Sequence, residues 1–337
     1  MRIILDGMGG DNAPASTVQG AIEALPFIEH DILILGDEAM IHKELGKYKF
    51  DSTRIRVVPT TEIITNDDSP VKAVRSKLDS SMVRGINMVK DGEGDLFISA
   101  GSTGAMMAAG LFILQRITGI DRPAIAVIYP ILGKGFSLLV DAGANSECRA
   151  SNFLEFACMG SIYMEKVMGV SNPKIGLVNI GVEEQKGTAT IKEAYGLLSK
   201  SKLNFIGNVE AREVSQGACD VIVTDGFVGN VILKLTEGLA LNILSTVKQK
   251  MMSSGMAKIG ALLMRGKLKE LKDEFDYSEY GGAPLLGIRG PIVKMHGSSN
   301  AKAVKNSIIK SVPFMEEDIV GMIEAAILDL KEISVAK

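Results

Sequence analysis

The chain has 337 residues, 46% of them apolar and 23% charged, with a formal net charge of −3. That is enough for one large α/β domain or two lobes, with ample material for a core. Few aromatic residues, no Trp and a slightly acidic balance argue against a nucleic-acid partner, which needs stacking surfaces and a basic excess.

Strand-like runs and helical patterns alternate along the chain. The strand candidates are Arg2–Leu5, Ile32–Leu35, Arg54–Val58, Asp95–Ser99, Ala124–Ile128, Ser137–Val140, Lys174–Asn179, Asn204–Ile206 and Asp220–Thr224. Most are continuously apolar, as strands covered on both faces should be. Helical patterns lie at Ala73–Val89, Ala105–Gln115, Phe153–Met168 and Val231–Met252. This order predicts right-handed crossovers and a mostly parallel sheet between two helical layers. No internal repeat, low-complexity tract or domain linker interrupts it, so residues 1–337 read as one α/β domain carrying a helical extension at 240–275. The N-terminus enters a strand pattern at once, so no signal peptide is expected, and no apolar run looks long enough to span a bilayer. Cys148, Cys158 and Cys219 lack metal-ligand spacing and read as reduced thiols.

Six segments place a Gly-rich polar turn between a strand and a helix. They are Asp6–Pro14, Ser99–Gly104, Asp141–Asn145, Asn179–Thr188, Thr224–Asn230 and His296–Asn300. In an open parallel sheet such turns sit at the strands' carboxyl ends, where ligands bind. Glycine lets backbone approach a ligand closely, and a helix start offers unpaired N–H groups to phosphate. Taken singly, each also reads as an ordinary helix N-cap, with Ser102, Asn145, Asn230 and Ser298 as capping residues. Turns on opposite sheet edges need not converge. A dinucleotide fingerprint fails because the third glycine position is Asn12, and Lys186-Gly187-Thr188 has the wrong order for a P-loop.

His30 and His42 lie in charged helical surroundings and are expected at the surface. His296 opens the last turn, where it can donate to a phosphate oxygen, protonate a leaving group, or simply bond loop backbone. Lys186 can neutralise a dianion at the mouth of the sheet or remain a solvated loop charge. Asp11 and Asp225 repel phosphate, and suit holding backbone N–H groups or accepting a proton. No Gly-x-Ser-x-Gly elbow, His pair or cysteine setting suggests covalent catalysis by the protein. No metal or cofactor is expected. Residues 243–272 are basic and amphipathic. Lys248, Lys250, Lys258, Arg265, Lys267, Lys269 and Lys272 face Glu270 alone, and Met251, Met252, Met256, Ile259, Leu262 and Leu263 supply apolar surface. The segment suits an anionic membrane, an acidic protein or a dimer or core interface, and Gly255 and Gly260 suggest a hairpin.

The turns Asp6–Pro14, Ser99–Ala105, Val140–Asn145, Gly176–Gly187, Gly207–Arg212, Asp220–Gly238, and Tyr280–Gly287 with His296–Ser299, in this order over nearly the whole chain, resemble the bacterial phosphate acyltransferase (PlsX) family. Gly7 stands where Ala is usual and Ser102 where Asn is usual. The resemblance implies an isocitrate/isopropylmalate dehydrogenase-like fold and a homodimer. It implies transfer of a long-chain acyl group from acyl carrier protein to inorganic phosphate for phospholipid synthesis. It also implies cytoplasmic residence with peripheral membrane contact, next to the following acyltransferase of the pathway. On that reading Gly9, Gly10, Asn12, Ser102, Thr103, Gly104, Asn145, Asn230, Ser298 and Ser299 hold phosphate. Lys186, His296 and Asp225 are the candidates for chemistry. Lys258, Leu262, Leu263, Arg265 and Lys267 meet the membrane or the carrier protein. The competing readings are a phosphotransacetylase-like enzyme using acyl-CoA, an NAD-dependent decarboxylating dehydrogenase, and a non-enzymatic scaffold.

Overall fold

Ile3, Ile4 and Leu5 are all fully buried, yet they feed two different cores: Ile3 and Leu5 pack into one and Ile4 into the other. Side chains alternate across a strand, so a continuous apolar run can only be satisfied by cover on both sides. Ile32 and Ile34 against Leu33 and Leu35, and Leu138 and Val140 against Leu139, divide in the same way. The computed structural model describes residues 1–131, 133, 135–274 and 279–335, without side chains for 271–274 and 331–335.

In chain order the first half holds β1 (Arg2–Asp6), α1 (Ala15–Ala24), β2 (Asp31–Gly36), α2 (Glu38–Leu45), β3 (Ile55–Pro59), α3 (Pro70–Ser76), α4 (Ser81–Lys90), β4 (Leu96–Ser99), α5 (Thr103–Ala109), β5 (Ala124–Ile131), β6 (Gly135–Val140) and α6 (Ala150–Lys166). There follow β7 (Ile175–Asn179), α7 (Ala189–Ser199), β8 (Phe205–Glu210), α8 (Ala211–Val214), β9 (Val221–Val223), α9 (Gly226–Met251), α10 (Gly255–Glu274), β10 (Ala283–Leu286), β11 (Ile292–Lys294), α11 (Ala301–Glu316) and α12 (Ile319–Val335). Residues of α1, α2, α6, α7, α11 and α12 cover one face, and residues of α3, α4, α5, α8 and α9 the other, giving three α/β/α layers.

The described strands form one sheet of order β3-β2-β1-β4-β11-β10-β5-β6-β9-β7-β8. Two parallel wings, β3 to β11 and β6 to β8, are joined through antiparallel pairings of β11 with β10, β10 with β5 and β5 with β6. The wings therefore run in opposite directions, a departure from a uniformly parallel sheet. Register brings their ends together nonetheless. Ser99 pairs with Lys294 and Lys294 with Ala283, while Leu285 pairs with Ile125 and Ala126 with Val140. Carried across β10 and β5, that register sets Val140 about one residue from the level of Ser99 and Lys294. The carboxyl ends of both wings meet over the central strands.

Two helical expectations change. Ala73–Val89 is not one helix: the chain breaks after Ser76, and Ser80 caps α4 by accepting from the Val83 N–H. The predicted Ala105–Gln115 helix passes into a single π-helical turn at Gly110–Leu114. β10 and β11 are additions to the sequence-based strand set. Pro284 inside β10 argues against a strand there, and β11 offers only Ile292 and Val293 as an apolar run.

Candidate active site

Two buried aspartates build the turns. Asp6 ends β1; its Oδ1 accepts from the Met8 and Gly9 N–H groups at 3.1 and 3.0 Å and from Ser81 Oγ at 2.6 Å. Its Oδ2 accepts from Ser99 Oγ at 2.6 Å, and Ser99 Oγ accepts from the Gly101 N–H at 2.9 Å. Asp141 does the same beyond β6. Its Oδ1 takes the Ile125, Gly143 and Ala144 N–H groups, and its Oδ2 takes the Asn145 backbone N–H at 2.7 Å and the Asn145 side-chain amide at 2.9 Å. Burial pushes the Asp141 carboxyl up, and these donors oppose that shift.

Glycine is obligatory where these turns touch. A Cβ on Gly9 would lie 2.4 Å from Asp6 Oδ2, and one on Gly229 would lie 1.9 Å from the Asp141 carbonyl oxygen. Gly10 has φ +97° and lies against Ala100 and the Gly297 carbonyl, so the first, second and last turns are in contact. Asn12 locks that contact: its amide donates to the Ser298 and Ser299 carbonyls at 3.1 and 3.2 Å.

These turns open on a cleft of about 1370 Å³. Gly101, Thr103, Gly143, Asn230, Lys294, His296, Ser298 and Ser299 line its polar end. Ile125, Val127 and Ile128 of β5, Leu233, Leu241, Leu244, Val247 and Met251 of α9, and Ala261 and Leu268 of α10 line the remainder. The polar end joins turns from both wings, as the meeting of the strand ends requires.

The sequence-predicted residues fall into three groups. Thr103, Asn230, His296, Ser298 and Ser299 reach the cleft. His296 Nδ1 accepts from the Ser298 N–H at 3.2 Å and lies 2.8 Å from Ser298 Oγ, which places the neutral ring's proton on Nε2. Ser299 Oγ donates to the His296 carbonyl at 2.6 Å. Gly9, Gly10, Asn12, Ser102, Asn145 and Asp225 build the walls behind it. The Gly9 N–H is taken by Asp6, and the Asn145 amide is taken by Pro123 O and Asp141. Ser102 caps α5 and Asp225 caps α9, accepting from Val228 N at 2.8 Å. Gly104 is exposed beside Pro70. Lys186 stands apart, exposed on a loop closed by the Asn179 amide donating to its carbonyl, and does not line the cleft.

One functional candidate escaped sequence reasoning. Lys294 closes β11, is half-buried in the cleft, and its ammonium donates to the carbonyls of Ala100 (3.2 Å) and Met295. Burial pulls its pKa down to about 8, against the raising influence of Asp6 and Asp11. Only its place two residues before His296, in an unrecognised strand, signals it.

The hairpin is α9 and α10, turning at residues 252–254. α9 runs 26 residues and is long and apolar enough to cross a membrane by length and composition, contrary to the sequence expectation. Its start is fastened to the site, however: the Gly226 N–H donates to Asn145 O, and Leu233 and Ala240 are buried. Lys258, Leu262, Leu263 and Arg265 are exposed, and Lys267 pairs with Glu270 at 2.8 Å; the side chain of Lys272 lies outside the described residues. Gly260 is helical and makes no break. His42 is exposed, whereas His30 is partly covered, its Nε2 lying 2.9 Å from Glu316 Oε1.

The fold and cleft define an α/β enzyme of the phosphotransacylase and dehydrogenase-like architecture. A phosphotransacetylase from Streptococcus pyogenes superposes with TM-score 0.65 at 17% identity, covering 94% of each chain. A 4-hydroxythreonine-4-phosphate dehydrogenase from Klebsiella pneumoniae superposes with TM-score 0.54 at 11% identity, over 96% of this chain and 99% of that one. At these identities the likeness concerns fold alone. The model of the "Fatty acid synthesis protein" family matches residues 1–322. Relatives described as phosphate acyltransferase share 51% identity in Clostridioides difficile (strain 630), over 95% of this chain and 94% of the relative, and 52% in Alkaliphilus oremlandii (strain OhILAs), over 98% of each. The chain belongs to this family and is a phosphate acyltransferase of fatty acid and phospholipid synthesis.

Proposed function

We propose that the enzyme transfers a long-chain acyl group from the thioester of acyl carrier protein to inorganic phosphate, releasing acyl-phosphate and the free carrier thiol. The observation that carries this reading is the continuity of one cleft: anion-suited turns at one end, and an apolar wall from β5, α9 and α10 along the rest. A phosphate oxygen attacks the thioester carbon, charge develops on the carbonyl oxygen, and collapse breaks the C–S bond. No enzyme nucleophile is needed, so the protein's work is positioning and charge stabilisation. Thr103 and Asn230 supply donors at the polar end, Ser298 fixes the His296 ring, and the His296 Nε2–H protonates the departing thiolate.

The same reading gives the exposed, cationic α9–α10 tip to an anionic membrane or to the acidic carrier protein. It makes the protein cytoplasmic and peripherally membrane-bound, a homodimer, and a neighbour of the acyltransferase that consumes its product. No cofactor or metal enters the reaction. Incubation with long-chain acyl carrier protein and phosphate, followed by hydroxylamine trapping, should give phosphate-dependent hydroxamate. No phosphate-dependent product refutes the reading, and product from acyl-CoA alone replaces the donor.

A further inference from the structure

Among the described residues no carboxylate pairs directly with the Lys294 ammonium, although Asp6 and Asp11 are close enough to act through space. Asp6 is already saturated by Met8, Gly9, Ser81 and Ser99, so it compensates charge without capturing the ammonium. The carbonyls of Ala100 and Met295 take two of the three N–H donors and fix the head group. Desolvating an ammonium is costly unless it is paired, so such an arrangement is suited to an anion arriving from the cleft. Among the other cleft-lining lysines, Lys234 is paired with Glu237 at 2.8 Å, and Lys248 and Lys269 belong to the hairpin. Lys294 instead sits where the ends of β4 and β11 reach the level of the end of β6.

We propose that Lys294 holds the phosphate reactant, donating its third N–H to a phosphate oxygen between the Ala100–Gly101 and His296–Ser298 turns. This rests on the reading of the cleft as a phosphate acyl-transfer site, and gives that site a cation the sequence did not offer.

The charge is present below the lysine's pKa and lost above it, so phosphate affinity should fall as pH rises through about 8. The groups facing Lys294 are Asp6 on β1, Asp11 in the following loop and His296 on its own turn, with Lys234 and Glu237 on α9 and Lys269 on α10 lining the same cleft. Phosphate's own ionisation is shared by all variants and cancels in their comparison.

The experiment is equilibrium titration of the full-length protein with inorganic phosphate, by calorimetry or ³¹P NMR, across pH 6 to about 10. Lys294→Met should weaken phosphate binding roughly tenfold or more, with circular dichroism unchanged. Lys294→Arg should keep binding within a few-fold and lose the decline near pH 8, because arginine does not titrate there. Equal phosphate affinity in wild type and Lys294→Met, no phosphate binding by wild type, or an unchanged alkaline decline in Lys294→Arg overturns the proposal. If Lys294→Met does not fold, Lys294→Gln and the pH profile of Lys294→Arg decide. Hydroxamate formation separates this from the reaction itself. Lys294-dependent phosphate binding without hydroxamate refutes the acyl-transfer reading alone, whereas hydroxamate with an unchanged phosphate KM in Lys294→Met refutes the role of Lys294 alone.

Discussion

Asp6 and Asp141 occupy equivalent posts in the two wings, and neither needs to touch substrate to matter. Each gathers backbone N–H groups that the turn would otherwise leave unsatisfied, and an amide cannot replace it, because its NH₂ would face other donors. Asp141→Asn should therefore lose about 1–3 kcal/mol of stability, read as a lowered urea midpoint, and an unchanged midpoint would show the carboxylate to be dispensable. Asp68 offers a pH test away from the cleft. The hydrogen bond from the Lys77 ammonium, then the Thr65 N–H, holds its carboxyl down at about 2. A depressed carboxyl contributes stability above its unfolded range, and loses it as pH falls through about 2. Lys77→Met should return the Asp68 titration toward 3.8, followed by carboxyl NMR; a curve still centred near 2 would assign the depression to Thr65 instead. The capping role of Ser102 was legible from residue type and position, whereas α6, α9 and α11 start at Arg149, Asp225 and Asn300 rather than at the expected Asn145, Asn230 and Ser298. The role of Asp6 was not legible, because its partners Ser81 and Ser99 lie 75 and 93 residues away.

Among the elements, α9 joins the site to the outer surface. Gly226 and Gly229 bring its first turn against the Asp141 turn, and its next turns face the cleft. Gly229→Ala would place a methyl carbon 1.9 Å from backbone oxygen, with no flexible neighbour to yield. That substitution should cost about 3 kcal/mol or more, seen as a collapsed melting temperature or insoluble expression, and a normally melting variant would show that the helix can slide. At the far end, Leu262 and Leu263 are 70% and 82% exposed beside Lys258 and Arg265, a combination suited to an anionic bilayer. Leu262→Glu with Leu263→Glu should abolish flotation with anionic vesicles while leaving the melting temperature within a degree or two; undiminished flotation would move the membrane contact elsewhere. The hairpin's basic, apolar pattern and its break near Gly255 could be read from sequence, since helical periodicity is local. The direction of each face could not: the side bearing Leu233, Leu244 and Met251 looks into the cleft only because β5 lies opposite.

At the scale of the molecule, most strands and the three layers followed from continuous apolar runs between helices, but the meeting of the turns did not. It depends on β10 and β11, two short strands that bridge the wings through β5 and set the stagger at which they end, while the β5–β6 pairing completes the reversal of direction. No local pattern encodes that register, and Lys294 stayed hidden with it. The same scale governs assembly. Val231, Leu235, Leu239 and Ile243 succeed one another at four-residue spacing on α9, and Leu235 and Leu239 are 66% and 56% exposed. This side is distinct from the cationic tip, and an uncovered apolar row of that length is what a second copy of the chain would bury. Sedimentation of the wild type should give twice the 36.0 kDa chain mass. Leu235→Glu with Leu239→Glu should shift it to the single-chain mass, while the Leu262, Leu263 variant remains double. A wild type of single-chain mass would refute the dimer, and a helix variant that stays double would move its interface off α9.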